Sequence, residues 1–312
     1  MYKKLNLKSL VIILATLAAL LAIFQLTDWF KNDRSFKENI VEADTAKITA
    51  IQISSIKNGT NIELNNKNGW YVKIGTKQFP ADKGDIQGVI DQLAKLKPLR
   101  VAGNTENSWE KWEVTDSLAI RVVLKNNNKT MADLLIGKFS YQQTSRKMTS
   151  YVRVYGEPTV YAVDGFLSMT FNRDANSFRS KTILNGSPEQ WTKFDFTYPA
   201  DTSFQLAKTE NKWTVDGIEA DSASVAQFFN SIRYLNGNEF ADSLNPGNLP
   251  APLCKVLVEG NNFKAFEVSC YEWNQQKYIH TSINPESYFK GDQIFDKLFK
   301  GRNNFSKLKL KN

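Results

Sequence analysis

The chain has 312 residues, of which 42% are apolar and 12% are aromatic, so it is long enough for two domains with packed cores. Its net charge of +8 would suit a nucleic-acid-binding protein, but the lysines are scattered and no nucleic-acid-binding module is recognised. Two cysteines, neither in a Cys-x-x-Cys motif, exclude a disulfide-dense scaffold and a zinc site made of thiolates. We therefore expect a globular body that does not bind nucleic acid.

The first element is an apolar run at residues 10–26. As a helix it would extend about 25 Å, towards the roughly 30 Å of a bilayer's hydrocarbon core. The run predicts a transmembrane anchor at 10–27, preceded by a short cytoplasmic tail at 1–9. A cleaved signal peptide is the alternative, but its apolar core would be shorter and would end in a small-x-small motif. Basic residues flank both ends, so the short tail, not the charge, places the body outside the cytoplasm.

Small residues recur within the anchor at helical spacing, with Ala15 beside Ala19 and Ala18 beside Ala22. Such pairs let a second membrane helix approach closely. A lone anchor in the lipid bilayer explains the same alanines, so both interpretations stay open. The predicted location is the bacterial inner membrane, crossed once, with the body in the periplasm.

The body begins after a charged, weakly periodic segment at 28–47, which suits a stalk. From residue 48, short alternating runs separated by Asn-rich turns predict antiparallel strands. Asp82 can cap a helix with one apolar face, and Pro98 ends it. Two further hairpins and a short apolar helix complete a β-rich lobe at 48–185.

The second half repeats this plan in constant register. The helix positions Asp82, Ile86 and Val89 match Asp221, Val225 and Phe228 at an offset of 139. The offset is 143 for the strand that contains Ile51, 134 for the hairpin around Asn126–Asn128 and 127 for the last strands. Because it changes only in loops, a tandem duplication explains it better than two unrelated stretches do. The predicted fold is therefore α+β: an N-terminal transmembrane helix followed by two tandem, internally duplicated β-rich α+β lobes, the second at 186–312.

Several motifs give the body a resemblance to a known family. They are Gly69-Trp70, Ala81-Asp82, Leu135-Ile136-Gly137-Lys138, Tyr151-Val152-Arg153, Val160-Tyr161-Ala162-Val163-Asp164 and Phe178-Arg179-Ser180-Lys181. With them the chain resembles the domain of unknown function 4340 family of membrane-anchored bacterial proteins. Members carry Tyr-Gly-Leu followed by Pro before the central hairpin, where this chain has Trp112-Glu113-Val114-Thr115-Asp116. The resemblance implies an accessory subunit, since related genes often lie beside ABC-type transport components like those of gliding motility.

Catalytic, cofactor-binding and metal-binding motifs are not found. The only histidine, His280, falls in a predicted strand without a companion base or ligand, at the repeat position of Arg153. Asp82 and Asp85 are explained by the start of a helix, where carboxylates favour the macrodipole. We expect no cofactor and no enzymatic activity.

Two sets of side chains are candidate sites. Cys254 and Cys270 flank the second hairpin and come nearly opposite each other when it folds, so an oxidising compartment would permit a disulfide. A one-residue change in register would turn them to opposite faces, which leaves two buried free thiols as an equal alternative. Trp109, Trp112 and Trp273 are candidate partner contacts, although aromatic residues in a β-rich body also build cores.

Three functions follow, in order of preference. The first is a non-enzymatic accessory or scaffold protein, a subunit of an ABC-type transport or gliding-related envelope complex. The second is a periplasmic binding module for cell-envelope glycan or lipid. The third is an uncharacterised hydrolase whose site residues lie far apart in the sequence.

Overall fold

The structure is a computed structural model that describes residues 11–19, 37–144, 146–199 and 202–307. Within these ranges the protein is mostly β, with two large antiparallel sheets. The predicted α+β class was wrong, because the helices are few and short. The two longest helices of the body have 12 and 11 residues, whereas most apolar runs pair as strands.

The predicted N-terminal transmembrane helix was also wrong. In the described ranges no helix is both long and apolar enough to cross a membrane. Residues 11–19 are helical. The rest of the predicted anchor and the predicted tail at 1–9 lie outside the described residues.

The first sheet has nine strands. They are β1 (Ala50–Ser55), β2 (Thr60–Asn66), β3 (Trp70–Ile74), β4 (Lys77–Pro80), β5 (Pro98–Gly103), β6 (Ile120–Asn126), β7 (Lys129–Gln142), β8 (Lys147–Val154) and β9 (Val160–Asp164). Their order across the sheet is β4-β3-β2-β1-β6-β7-β8-β9-β5. Helix α1 (Lys83–Ala94) follows β4, and the short helix α2 (Leu167–Phe171) follows β9.

The remaining strands form a second sheet and a small ladder. In the ladder, β10 (Thr182–Asn185) pairs with β15 (Tyr234–Asn236). The other strands are β11 (Trp191–Thr197), β12 (Phe204–Thr209), β13 (Lys212–Val215), β14 (Ile218–Glu219), β16 (Cys254–Gly260), β17 (Phe266–Trp273), β18 (Gln276–Thr281) and β19 (Tyr288–Lys290). They lie in the order β14-β13-β12-β11-β16-β17-β18-β19. Helix α3 (Ser222–Ile232) follows β14, and α4 (Asp292–Leu298) follows β19.

The described residues divide into two compact units. The first unit lies within Met1–Asn61 and Gly88–Arg173, and the second lies within Ile62–Gln87 and Asp174–Asn312. These units differ from the lobes expected at 48–185 and 186–312, whose boundaries stay a prediction.

Positions that match between the two halves of the sequence form equivalent strand pairs. Ile53 of β1 pairs with Val122 of β6, and their counterparts Phe196 and Val256 pair in β11 and β16. The same holds for the next hairpins, where Leu134 of β7 pairs with Val122 and Val268 of β17 pairs with Val256. Both halves therefore build the same central pairings from matched positions.

Part of the segment expected to be a stalk packs into the first unit. Ile40 and Val41 are buried, and the Ile40 N–H donates to the Leu96 carbonyl oxygen at 3.1 Å. In the second unit, Leu184 matches Val41 and pairs with Leu235, which matches Leu96. Ile40 and Val41, within the segment expected to be a stalk, therefore contribute to the core. The earlier part lies outside the described residues.

Aromatic rings fill the core of the second unit. Phe194 and Phe196 of β11 face Phe228 and Phe229 of α3, with ring centroids 5.4 Å apart for Phe194 and Phe229. Alternation along the strand and helical spacing along α3 place these rings on facing surfaces. The Asp221 carboxylate begins the helix by accepting the Ser224 N–H at 3.0 Å, a typical N-cap bond.

Tyr198 makes stability depend on pH at the alkaline end. Its hydroxyl donates to the Lys300 carbonyl oxygen at 2.7 Å, and burial raises the pKa of Tyr198 above its usual 10.0. Because the folded state favours the protonated phenol, this contribution is complete below about pH 10 and is lost as the pH rises further. We expect Tyr198→Phe to reduce the alkaline loss of stability and to cost about 1 kcal/mol at pH 7. Urea unfolding at pH 7 and pH 11 measures both effects.

Burial also raises the pKa of Tyr288, so both the natural protein and the Tyr198→Phe variant should lose some stability at high pH. Only the difference between Tyr198→Phe and the natural protein isolates Tyr198. The same loss between pH 7 and pH 11 in both proteins would contradict this assignment.

Candidate binding groove

Arg179 is an unusually buried charge in the second unit, with 1% of its side chain exposed. Arginine is almost never buried this deeply unless it is paired. Its backbone is fixed by an antiparallel bridge to Ala81, just after β4. On the other side of the bridge, the Ser180 N–H donates to the Pro80 carbonyl oxygen at 2.7 Å. Arg179 is therefore held beside the end of β4.

The Arg179 guanidinium has polar partners from three segments. Its Nη1 donates to the two Asp242 carboxylate oxygens at 2.9 and 2.7 Å and to Asn176 Oδ1 at 3.0 Å. Its Nη2 donates to Ser287 Oγ at 3.0 Å. The Asp242 carboxylate offsets the buried charge, as a buried arginine requires. Nε is buried without a hydrogen-bond partner in the described part of the chain.

Two phenylalanine rings enclose the same guanidinium. Its central carbon lies 3.8 Å from the ring centroid of Phe79 and 3.6 Å from that of Phe240. A planar guanidinium is attracted to aromatic faces, and its fork fixes the direction of its hydrogen bonds. Rings and hydrogen bonds together hold Arg179 in one orientation, so it forms a rigid support for its neighbours.

A groove of about 580 Å³ lies beside Arg179 and is lined by two of its partners, Phe79 and Asp242. This volume lies within the usual range of ligand-binding sites. Apolar and charged side chains both line the groove. They include Ile74, Leu244, Pro246 and Tyr288 among the apolar residues and Lys77, Asp242 and Glu286 among the charged ones. The groove can therefore accept a ligand that carries apolar and charged groups together.

His280 supports one wall of this groove. Its ring stacks on Tyr288 with centroids 4.6 Å apart, and its Nε2 lies 3.0 Å from the Pro285 carbonyl oxygen. With its proton on Nε2, His280 donates this bond. Tyr288 and Pro285 line the groove, so His280 orders the wall. This placement fits the structural role expected for the histidine.

Within the described residues, no group of three or more His, Cys, Asp or Glu side chains is placed to hold a metal ion. The expectation that the protein uses no cofactor stays a prediction, as does the expectation that it is not an enzyme.

Cys254 and Cys270 are direct partners across β16 and β17, and both are buried free thiols. Direct partners point to the same face of a sheet, so the register that a disulfide needs is present. The hydrogen bond with Cys270, together with burial, raises the pKa of the Cys254 thiol. A raised pKa makes this thiol unreactive near neutral pH, because the thiolate is the nucleophile. The disulfide stays a prediction.

The three candidate tryptophans have different surroundings. Trp109 stacks on Arg153, whose central guanidinium carbon is 3.6 Å from the ring, and Trp112 stacks on Tyr151 at 3.9 Å. Both rings pack against a small buried cluster. Trp273 ends β17 and is 38% exposed. Partner contacts through these residues stay a prediction.

The alanine positions expected to mediate helix contact cannot all be placed. Ala15, Ala18 and Ala19 lie exposed in the helical segment at 11–19, and Ala22 lies outside the described residues. Contact with another helix through these alanines stays a prediction.

The sequence did not indicate a site at Arg179. The residue stood only in the motif Phe178-Arg179-Ser180-Lys181, while Ser287 lies 108 positions further along the chain. An arginine directly after a core phenylalanine was the available signal, because a charge in that place must find partners or remain exposed.

These observations define a class of protein: a mostly β protein with a preformed groove beside a buried arginine. The family model described as Domain of unknown function (DUF4340) matches residues 70–252, which is more than half of the chain. The chain belongs to this family, and the resemblance seen in its motifs is confirmed. No curated protein and no solved structure matches the chain.

Proposed function

We propose that this protein is a non-enzymatic accessory subunit that binds another protein through the groove beside Arg179. The observation that supports this function is the make-up of the groove, in which apolar side chains stand beside Lys77, Asp242 and Glu286. A protein segment offers apolar and charged groups in the same stretch, so it can match both. Arg179, stacked between the rings of Phe79 and Phe240, holds one wall of the groove in place before binding. This lowers the entropy that is lost when a ligand binds.

We further propose a cell-envelope assembly as the setting, with ABC-type transport or gliding-related components as partners. The family resemblance supports this setting, since it implies a subunit whose related genes often lie beside such components. An accessory subunit needs a binding surface more than a nucleophile and a base. The contact of His280 with the Pro285 carbonyl oxygen agrees with this role.

A cell-envelope glycan fits the groove less well. Sugar rings bind best on flat aromatic faces that are free to stack. Of the two aromatic rings that line the groove, Phe79 is stacked on Arg179 and Tyr288 is stacked on His280. Each ring has therefore lost one face to the protein itself, which favours a protein segment as the ligand.

Purification of the tagged full chain from native membranes in mild detergent tests the proposed function. We expect transport components to co-purify with the natural protein and about fivefold less with Glu286→Lys or Leu244→Ser, because truncated or charge-reversed contacts weaken binding. Glu286 is exposed and Leu244 is half-buried, so both variants should fold.

Glu110→Lys is the matched control, since it makes the same charge change at an exposed position in the first unit. It should retain the partner. Recovery of this chain alone, or equal recovery of the components by all variants, would refute the proposed function.

A further inference from the structure

The β7–β8 hairpin of the first unit is longer than its counterpart in the second. The matched pairs Ile136–Val152 and Cys270–Ile279 begin the two hairpin ends, and the first end has seven residues more. The second end closes through Asn274 and Gln275, whose φ angles of 51° and 62° suit a two-residue hairpin turn. A two-residue turn is therefore enough to connect the two strands, and the seven additional residues are not needed to close the hairpin.

The additional length carries an exposed apolar surface, the hairpin patch, formed by Phe139, Tyr141 and Met148. Their exposed fractions are 44%, 51% and 41%. Tyr141 and Met148 are direct partners across the strands, and Phe139 lies two residues before Tyr141 on the same face. The Phe139 ring also contacts Phe166 at 4.0 Å. Adjacent apolar side chains in water mark interaction surfaces more often than scattered ones do.

The hairpin is also basic. Residues 134–156 contain no aspartate or glutamate, and Arg146 and Lys147 are exposed at the turn. Asp164 is the carboxylate that comes nearest in register, as the partner of Thr149. In the described ranges, neither Arg146 nor Lys147 forms a salt bridge. These cations are therefore available to an external partner.

The arrangement of apolar and polar residues favours a protein partner over lipid. The turn at 142–147 is polar, whereas the hairpin patch lies on one face behind it. A hairpin that inserts into a bilayer would need apolar residues at its turn. Protein interfaces, in contrast, are enriched in aromatic residues, methionine and arginine, which are the residue types present here.

We propose that the hairpin patch docks against an acidic protein surface, one that presents apolar side chains between its carboxylates. The proposal deepens the proposed function, on which it rests, by assigning a second contact face and the chemistry of its partner. Apolar contact supplies the affinity, while attraction between carboxylates and the two cations speeds and orients association.

Photo-crosslinking in the producing cell tests the docking surface. The full chain carries the photo-reactive residue p-benzoylphenylalanine in place of Tyr141, or in place of Tyr234, which is 69% exposed elsewhere. We expect a protein adduct only at position 141, with a crosslinked peptide rich in aspartate, glutamate and apolar residues. A lipid adduct alone, a peptide without carboxylates, or the same adduct at both positions would overturn the proposal.

The partner protein that crosslinking identifies is then purified separately, and its affinity for the full chain is measured. Two double variants are compared: an apolar variant, Tyr141→Ser with Met148→Ser, and a charge variant, Arg146→Glu with Lys147→Glu. We expect the Kd of each to rise about tenfold or more. Only the charge variant should also weaken the salt dependence of binding. Lys208→Glu with Lys264→Glu and Tyr234→Ser are matched exposed controls and should bind like the natural chain. Unchanged Kd in the hairpin variants would refute the docking surface.

Three further outcomes separate the hypotheses. Binding to vesicles of phosphatidylglycerol and phosphatidylcholine that is lost in Tyr141→Ser would overturn the protein partner in favour of lipid. An acidic partner unrelated to transport would support the docking surface while the proposed function fails. Transport components that are lost with Glu286→Lys but kept by the hairpin variants would support the groove and overturn the hairpin.

Discussion

Replacing Arg179 with methionine is expected to lower the free energy of unfolding of the second unit by about 3–5 kcal/mol. The substitution removes the buried cation and leaves Asp242 and Ser287 without their donor. It also removes the stacking on Phe79 and Phe240. Asp242 is 51% exposed and regains water, so most of the loss comes from the buried Ser287 hydroxyl, which is left without its donor, and from the lost stacking on the two rings.

Arg302→Met is the matched control, because Arg302 pairs with Asp216 at 2.7 Å but is 52% exposed. An exposed pair contributes at most about 1 kcal/mol. Urea unfolding compares the two variants, and amide exchange at Ser180 and Asp82 locates the effect. These amides donate to Pro80 and Phe178 beside the arginine. Similar losses in both variants would show that the burial of Arg179 does not matter.

Arg179→Lys separates charge from geometry. Lysine retains the positive charge but lacks the planar fork that reaches Asp242, Asn176 and Ser287 together. If the hydrogen-bond geometry and the stacking matter, this variant should fall between the natural protein and Arg179→Met in the same urea series.

Local signals in the sequence located many strands, but they did not show the proportion of strand to helix in the fold. Alternation at Ile51 and Ile53 marks β1, and both side chains are fully buried. The helix after Asp82 is also where the periodicity places it. These signals do not show how many connecting segments pair as strands, such as Lys77–Pro80 of β4, and the α+β class was wrong for that reason.

Gly137 illustrates a motif whose cause lies in tertiary structure. A Cβ atom at this position would lie 2.1 Å from the Trp112 carbonyl oxygen, so only glycine lets the two backbones approach. The neighbouring Lys138 N–H donates to that same oxygen at 3.1 Å. The sequence gives the glycine but not the loop that meets it.

The apolar run at 10–26 predicted a transmembrane helix because a count of apolar residues fits one, whereas no helix in the described ranges is long and apolar enough to cross a membrane. The groove, in contrast, could not be predicted from any local run of residues. Lys77 and Glu286 line it from segments 209 positions apart in the chain. Only long-range packing brings such residues together, and no local pattern encodes it.

Truncation of Phe194 to alanine is expected to cost about 3–5 kcal/mol in the second unit. Its ring is fully buried and lies 5.2 Å from Trp191, 5.8 Å from Phe228 and 5.4 Å from Phe229, measured between centroids. Large rings fixed on a strand and a helix cannot collapse into the space left behind, so the cavity term adds to the lost burial. Urea unfolding followed by near-ultraviolet circular dichroism measures the loss.

Phe139→Ala is the informative control, because it removes the same atoms from a ring that is 44% exposed in the hairpin patch. It should cost less than about 1 kcal/mol, since a surface position leaves no closed cavity. If Phe194→Ala proves as mild as Phe139→Ala, the aromatic cluster does not carry the stability of the second unit. If Phe139→Ala proves as damaging as Phe194→Ala, Phe139 is part of the core, and its exposure cannot support a docking surface. The stability comparison therefore also tests the premise of the hairpin patch before any partner is known.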